Sequence, residues 1–224
     1  MLAALLTVAL VTSMVTAAVW QQWRVTQIEA LERERQQAHW LLMGAFDWAR
    51  VILRADARAS HQAAEVDHLA EPWALPLQEA RLSDFLAANS PSSGIRAGED
   101  QFMQTVFLSG RIEDEQGKLN VTNLMLGESL NPLAVRTFAK LFELLGLTPE
   151  ELSALVQGWQ NSHGKQATQV APQTFEQLAW LGLSQRSLQI LQPHVTVLPQ
   201  GSALNVNTAS VQALAATVNG LSLS

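Results

Sequence analysis

Asp67, His68 and Glu71 fall close together in DHLAEPWALPL. Carboxylate oxygen and imidazole nitrogen are the donors that divalent cations take. Three local donors with no distant partner do not close a coordination sphere, so a hydrogen-bonded loop without metal is expected. Glu113, Asp114 and Glu115 form a second acid group in GRIEDEQGKL. Such acids could bind calcium or act as catalytic carboxylates. Their place at the tip of a predicted hairpin makes a solvated, charged turn the expectation. The five His are scattered, and GxSxG, HExxH, phosphate-loop and CxxC patterns are absent. No catalytic residue, no cofactor and no enzymatic activity are therefore expected. NVT at Asn120 matches a glycosylation acceptor, a pattern short enough to recur by chance.

The elements that would position these side chains set narrower bounds. With 224 residues the chain can build one or two small domains around a sizeable core. Its net charge of −6 argues against a general nucleic-acid binder, which needs clustered Lys and Arg. Cysteine is absent, which excludes a disulfide framework.

Residues 2–23 carry no charge. As a helix they span about 33 Å, the thickness of a bilayer core. Leu2, Leu5, Leu6, Val8, Leu10, Val11, Val15 and Val19 are the expected membrane-anchor residues, and Trp20 and Trp23 fall where an interfacial aromatic belt lies. A cleavable signal has a shorter apolar region preceded by basic residues, and only Met1 precedes this one. The helical pattern continues without Pro to about residue 58. Val25, Ile28, Leu31, Ala38, Leu42, Ala45, Ala49 and Ile52 recur at three, four or seven residues and mark one stripe. A globular domain is expected to pack on the second half of this rod. The positive-inside rule alone would put Arg24, Arg33 and Arg35 in the cytoplasm.

Pro72 and Pro76 mark an extended, packed segment. Residues 89–101 are Gly/Ser/Pro-rich and are expected to be a mobile loop. Val106, Leu108 and Ile112 alternate, as do Leu119 and Val121, with EDEQGK between them and Gly117 available for positive φ. That pattern predicts a β-hairpin. From residue 132 the period is helical. LFELLGLTPEEL, LAWLGLSQRSL and LAATVNGLSLS each carry a Gly-Leu turn. Gly146, Gly182 and Gly220 suit the left-handed position after a helix, and Leu147, Leu183 and Leu221 the apolar contact that follows. Thr148 and Ser184 suit N-caps, with Thr148 and Glu151 as a capping box. ALNVNTASVQAL adds a strand end, an Asn/Thr cap and a helix, like the entry to a helix-hairpin-helix unit. Such units can hold DNA phosphates. Only Lys165 and Arg186 are basic between 141 and 224, so a protein-packing module is the stronger expectation.

Five stretches, in order, carry a resemblance: the apolar start with WQQWR, GAFDWARVILRADAR, DHLAEPWALPL, LSGRIEDEQGKLNVTNLM and LNVNTASVQAL. Together they span nearly the whole chain, which resembles the minor pseudopilin K family of bacterial type II secretion. GRIEDEQGKLNVTNL and LNVNTA are the more specific stretches.

The resemblance implies an α+β, type IV pilin-like fold. A long N-terminal helix packs on a small antiparallel β-sheet, and a helical domain of helix-hairpin-helix or SAM-like type is inserted. The expected divisions are 1–23 (transmembrane), 24–58 (amphipathic continuation), 59–130 (pilin-like region with the hairpin), 131–202 (inserted helical domain) and 203–224 (a return segment expected to be truncated). It also implies a single inner-membrane pass, a periplasmic soluble domain, and a place at the pseudopilus tip with other minor pseudopilins. A prepilin peptidase and the secretion machinery are further implied partners, with methylation and without nucleic acid. Val25, Ile28, Leu31, Ala38 and Leu42 become assembly-interface candidates. A membrane-anchored helix-hairpin-helix DNA-binding protein is the alternative.

In this family a basic leader precedes the helix, which would reverse the topology given by the positive-inside rule. Pilin-like subunits generally carry a Glu near the start of that helix, and here the first acid is Glu29. A tip subunit, with no neighbour above it, can do without that carboxylate, which is costly in lipid. Larger members have a calcium site and cysteines in the helical domain. GWQNSHGKQATQVAP has neither acid nor Cys, so neither calcium nor a disulfide is expected.

Overall fold

The computed structural model describes residues 1–63, 66–84, 105–163, 167 and 169–218. The loop expected over 89–101 and the third Gly-Leu turn, at Gly220, lie outside them. The chain divides into two units, 1–63 and 64–224.

The first unit is one helix, α1 (Leu2–Ala63), of 62 residues and about 93 Å. It runs past the end expected at residue 58. The second unit opens with a single 3-10 turn, Pro72–Ala74, with Trp73 buried. Proline is at home in that first turn because it has no N–H to leave unpaired. Strand β1 (Leu77–Arg81) pairs antiparallel with β2 (Phe107–Gly110), with an irregular register between Leu77 and Ala80. A 3-10 turn (Glu115–Gly117) leads to β3 (Leu119–Asn120), a second turn (Val121–Leu124), then β4 (Met125–Leu126) and β5 (Ser129–Leu130). β4 and β5 form a hairpin around Gly127, whose φ of 66° needs glycine.

The hairpin expected over 106–121 does not form. β2 pairs with β1, and β3 pairs in parallel with β6 (Val195–Thr196). Alternation fixes that a strand exists and which way its side chains point, but not its partner. Gly117 is not at positive φ either: among the described glycines only Gly127, Gly146 and Gly182 are. Its small size matters instead, because a Cβ there would lie 2.8 Å from Thr208 Oγ1 and 2.9 Å from Thr208 O.

Helices α2 (Pro132–Leu144), α3 (Pro149–Asn161), α4 (Gln185–Leu191) and α5 (Val211–Thr217) follow, with a 3-10 helix (Phe175–Leu181) before α4. Asn131 caps α2 by accepting from the Leu133 and Ala134 amides. Gly146, at φ 65°, ends it: its amide donates to Glu143 O and that of Leu147 to Phe142 O, a Schellman closure as the Gly-Leu pattern predicts. Gly182 repeats the left-handed turn at φ 94°. One apolar cluster runs from Leu119, Val121 and Leu124 through Phe138, Phe142, Leu155 and Trp159 to Ala213 and Ala216. The core therefore continues across the division expected at residue 130.

Candidate functional site

The two most specific sequence stretches meet in space. Asp114 Oδ1 accepts from the Gln116 amide at 2.8 Å and so closes its own turn. Its Oδ2 accepts from Thr208 Oγ1 at 2.7 Å and Asn205 Nδ2 at 2.9 Å. The Asn205 amide donates to Gln116 O at 2.8 Å, and Asn205 Nδ2 also donates to Asp67 O at 3.1 Å. GRIEDEQGKL, LNVNTA and the start of DHLAEP are thus clasped at one place, where only glycine at 117 lets Thr208 come close.

A second clasp lies beside the first in sequence. Asn120 is 2% exposed. Its Oδ1 accepts from the Thr122 and Leu198 amides, and its Nδ2 donates to Gln200 O and Ser202 Oγ. Asn123 pairs with both backbone groups of Ser202, and Thr122 Oγ1 donates to Leu198 O. All four hydrogen bonds open to a primary amide are made. The NVT match at Asn120 is therefore not an accessible acceptor: its amide nitrogen is buried and committed.

The acidic candidates separate into different duties. Glu113 pairs with Arg111 at 2.6 Å, and Glu115 with Lys118 at 2.8 Å. These two form the expected exposed charged turn, whereas Asp114 is the clasp. Glu71 Oε2 accepts from the His68 amide at 2.9 Å and from Trp73 Nε1 at 2.7 Å. Those donors, the amide foremost, hold its carboxyl below the usual range. The Asp67 carbonyl, rather than its carboxylate, enters the clasp.

In the helical part Thr148 Oγ1 accepts from the Glu151 amide. The other half of the expected capping box is not made, because Glu151 reaches to the next helix. Its oxygens accept from Ser187 Oγ and the Ser184 amide, which lower its pKa. Ser184 caps α4 as expected, while α5 is capped by Ser210 rather than by the expected Asn or Thr. Asn205 and Thr208 are occupied by the clasp. Ser210 Oγ also meets His194 Nδ1 at 2.8 Å, and burial lowers the His194 pKa.

α1 is long and apolar enough to cross a membrane, and its apolar first part is exposed throughout. Thr7, Thr12, Ser13 and Thr16 donate their hydroxyls to carbonyls of their own helix three or four residues back. That leaves those hydroxyls satisfied without water. Leu2, Leu5, Leu6, Val8, Leu10, Val11, Val15, Val19, Trp20 and Trp23 are exposed, as are Val25, Ile28, Leu31, Ala38 and Leu42. The Arg24 guanidinium lies 5.7 Å from the centre of the Trp20 ring.

Sequence reasoning missed the roles of Asp114, Asn123, Asn205 and Thr208. Their signal was available as Asn, Asp and Thr concentrated in the two specific stretches, residue types that bind backbone groups outside helices.

No protein-family model matches the chain. Type II secretion system protein K of Pseudomonas aeruginosa is 30% identical over 236 residues, covering 95% of this chain and 65% of the relative. The chain thus spans just under two thirds of that relative's length. Among solved structures, a chain in the crystal structure of the GspK-GspI-GspJ complex from the type 2 secretion system of enterotoxigenic Escherichia coli aligns with a TM-score of 0.58. That alignment has 18% identity and covers 83% of this chain and 67% of the other. The fold is accordingly α+β and pilin-like. The family resemblance carried by the five sequence stretches stands as a resemblance: over 95% of its length the chain is similar to type II secretion system protein K.

Proposed function

We propose that the protein is a non-enzymatic minor pseudopilin of a bacterial type II secretion system, acting at the tip of the pseudopilus to start or cap its assembly. The observation that carries this reading is the 30% identity over 95% of the chain, which takes in both clasped stretches. In this reading residues 2–23 of α1 sit in the inner membrane and the second unit is periplasmic. The partners are other minor pseudopilins, and the solved complex named for GspK, GspI and GspJ supports that choice. The exposed stripe of Val25, Ile28, Leu31, Ala38 and Leu42 is the proposed assembly face, because side chains of that kind on a long helix gain most by burial against another helix.

Ala38→Asp and Leu42→Asp each place a charge on that stripe. Both should abolish copurification with other minor pseudopilins while leaving the thermal unfolding of the second unit unchanged. Copurification at the level of the unaltered chain would remove the stripe from the assembly face.

A further inference from the structure

The uncharged run of α1 ends at a particular pair of side chains. Trp20 and Arg24 are one helical turn apart, and the guanidinium lies over the indole, 5.7 Å from its centre. Helical side chains lean toward the N-terminus. Arg24 therefore reaches back toward the apolar segment and brings its charge to the level of Trp20. Both are where a lipid headgroup layer would begin if residues 2–19, about 27 Å of helix, fill the hydrocarbon core. Arginine's planar fork matches a phosphate, and its weaker hydration suits that layer better than an ammonium would. The hydroxyls N-terminal to the pair, at Thr7, Thr12, Ser13 and Thr16, are turned onto their own helix. They offer nothing to hold the helix at a given depth. Beyond Arg24 the next charge is Glu29, so without Arg24 the uncharged run would extend through Ile28.

We propose that Trp20 and Arg24 form an interfacial lock, in which the guanidinium binds a lipid headgroup phosphate over the indole face and fixes how deeply α1 enters the bilayer. This rests on the membrane-spanning reading of residues 2–23.

The absence of cysteine makes the test direct. Single cysteines placed along 16–32 of the full-length protein carry a spin label, in vesicles of phosphatidylethanolamine and phosphatidylglycerol. Oxygen and nickel-chelate accessibilities then locate the water boundary. It should lie within a residue or two of Arg24, move toward Glu29 by about one turn in Arg24→Gln, and stay put in Arg24→Lys. A boundary unmoved in Arg24→Gln overturns the lock and leaves the membrane reading intact. Labels in the 16–22 region that all read as aqueous overturn both. Arginine Cζ labelling adds a test for the phosphate itself. Lipid phosphorus should dephase part of the wild-type Cζ signal, and that part should be lost in Arg24→Lys; equal dephasing in the two proteins overturns the phosphate contact.

Discussion

At the scale of single residues, Asn120 and His194 show how unevenly polar side chains contribute. Asn120 is buried and makes four hydrogen bonds. Asn120→Ala strands two backbone amides and the Gln200 carbonyl away from partners, each unmade bond costing about 1–3 kcal/mol. Some relaxation and water entry will recover part of that, so a net loss of roughly 2–4 kcal/mol is expected from urea unfolding; a loss of a few tenths would mean that water replaces the amide freely. His194 makes a prediction in pH. Burial lowers its folded-state pKa from 6.5, so the unfolded chain takes up the proton first. Its contribution is fully present above pH 6.5 and is lost as pH falls from there through the folded-state pKa. Urea midpoints should begin to drop just below pH 6.5, and His194→Asn should remove that first decline. Glu71 acts lower on the scale: its carboxylate favours folding above the ordinary carboxyl pKa of 4.5, and that is lost as pH falls through its depressed value.

At the scale of elements, the glycines divide by what each one does. Gly146 ends α2 at φ 65° with open space where a Cβ would go, whereas a Cβ on Gly182, at φ 94°, would lie 3.1 Å from Ala154 Cβ. Gly146→Ala should therefore cost about 1 kcal/mol, the strain of a left-handed alanine. Gly182→Ala should cost more, strain and contact together, as read by paired thermal unfolding. Gly117→Ala is a different case, because the obstructing atoms include the Thr208 backbone, and it should loosen the clasp of Asp114 with Asn205 and Thr208. These helix ends were legible in the sequence because capping is local: Gly-Leu-Thr-Pro and Gly-Leu-Ser carry their turns within a few residues. Strand partners were not legible. Leu119 pairs with Val195 and Asp114 with Asn205, 91 positions away, and no local periodicity encodes that. The capping box at Thr148 failed for the same reason, since Glu151 answers to Ser187, 36 positions on.

The whole molecule divides into one rod, 1–63, and one compact unit, 64–224. The rod was legible except for its last five residues, 59–63, because an uncharged run of bilayer length followed by an apolar stripe has few other physical solutions. The compact unit was legible as helices and short strands, with its clasps visible only as Asn- and Asp-rich patterning. The sequence expected a division near residue 130, yet Val121 and Leu124 share a core with Phe138 and Ala216, so segments on the two sides should unfold together. Denaturant curves followed by probes on either side of residue 130 should coincide; separate transitions would show two independent cores.

Assembly with other pilin-like subunits is the proposed function. Its most direct test is copurification of the tagged, full-length chain from bacterial membranes, with mass spectrometry of what accompanies it. Other minor pseudopilins should be recovered with it. A preparation free of them that instead carries nucleic acid would contradict that function.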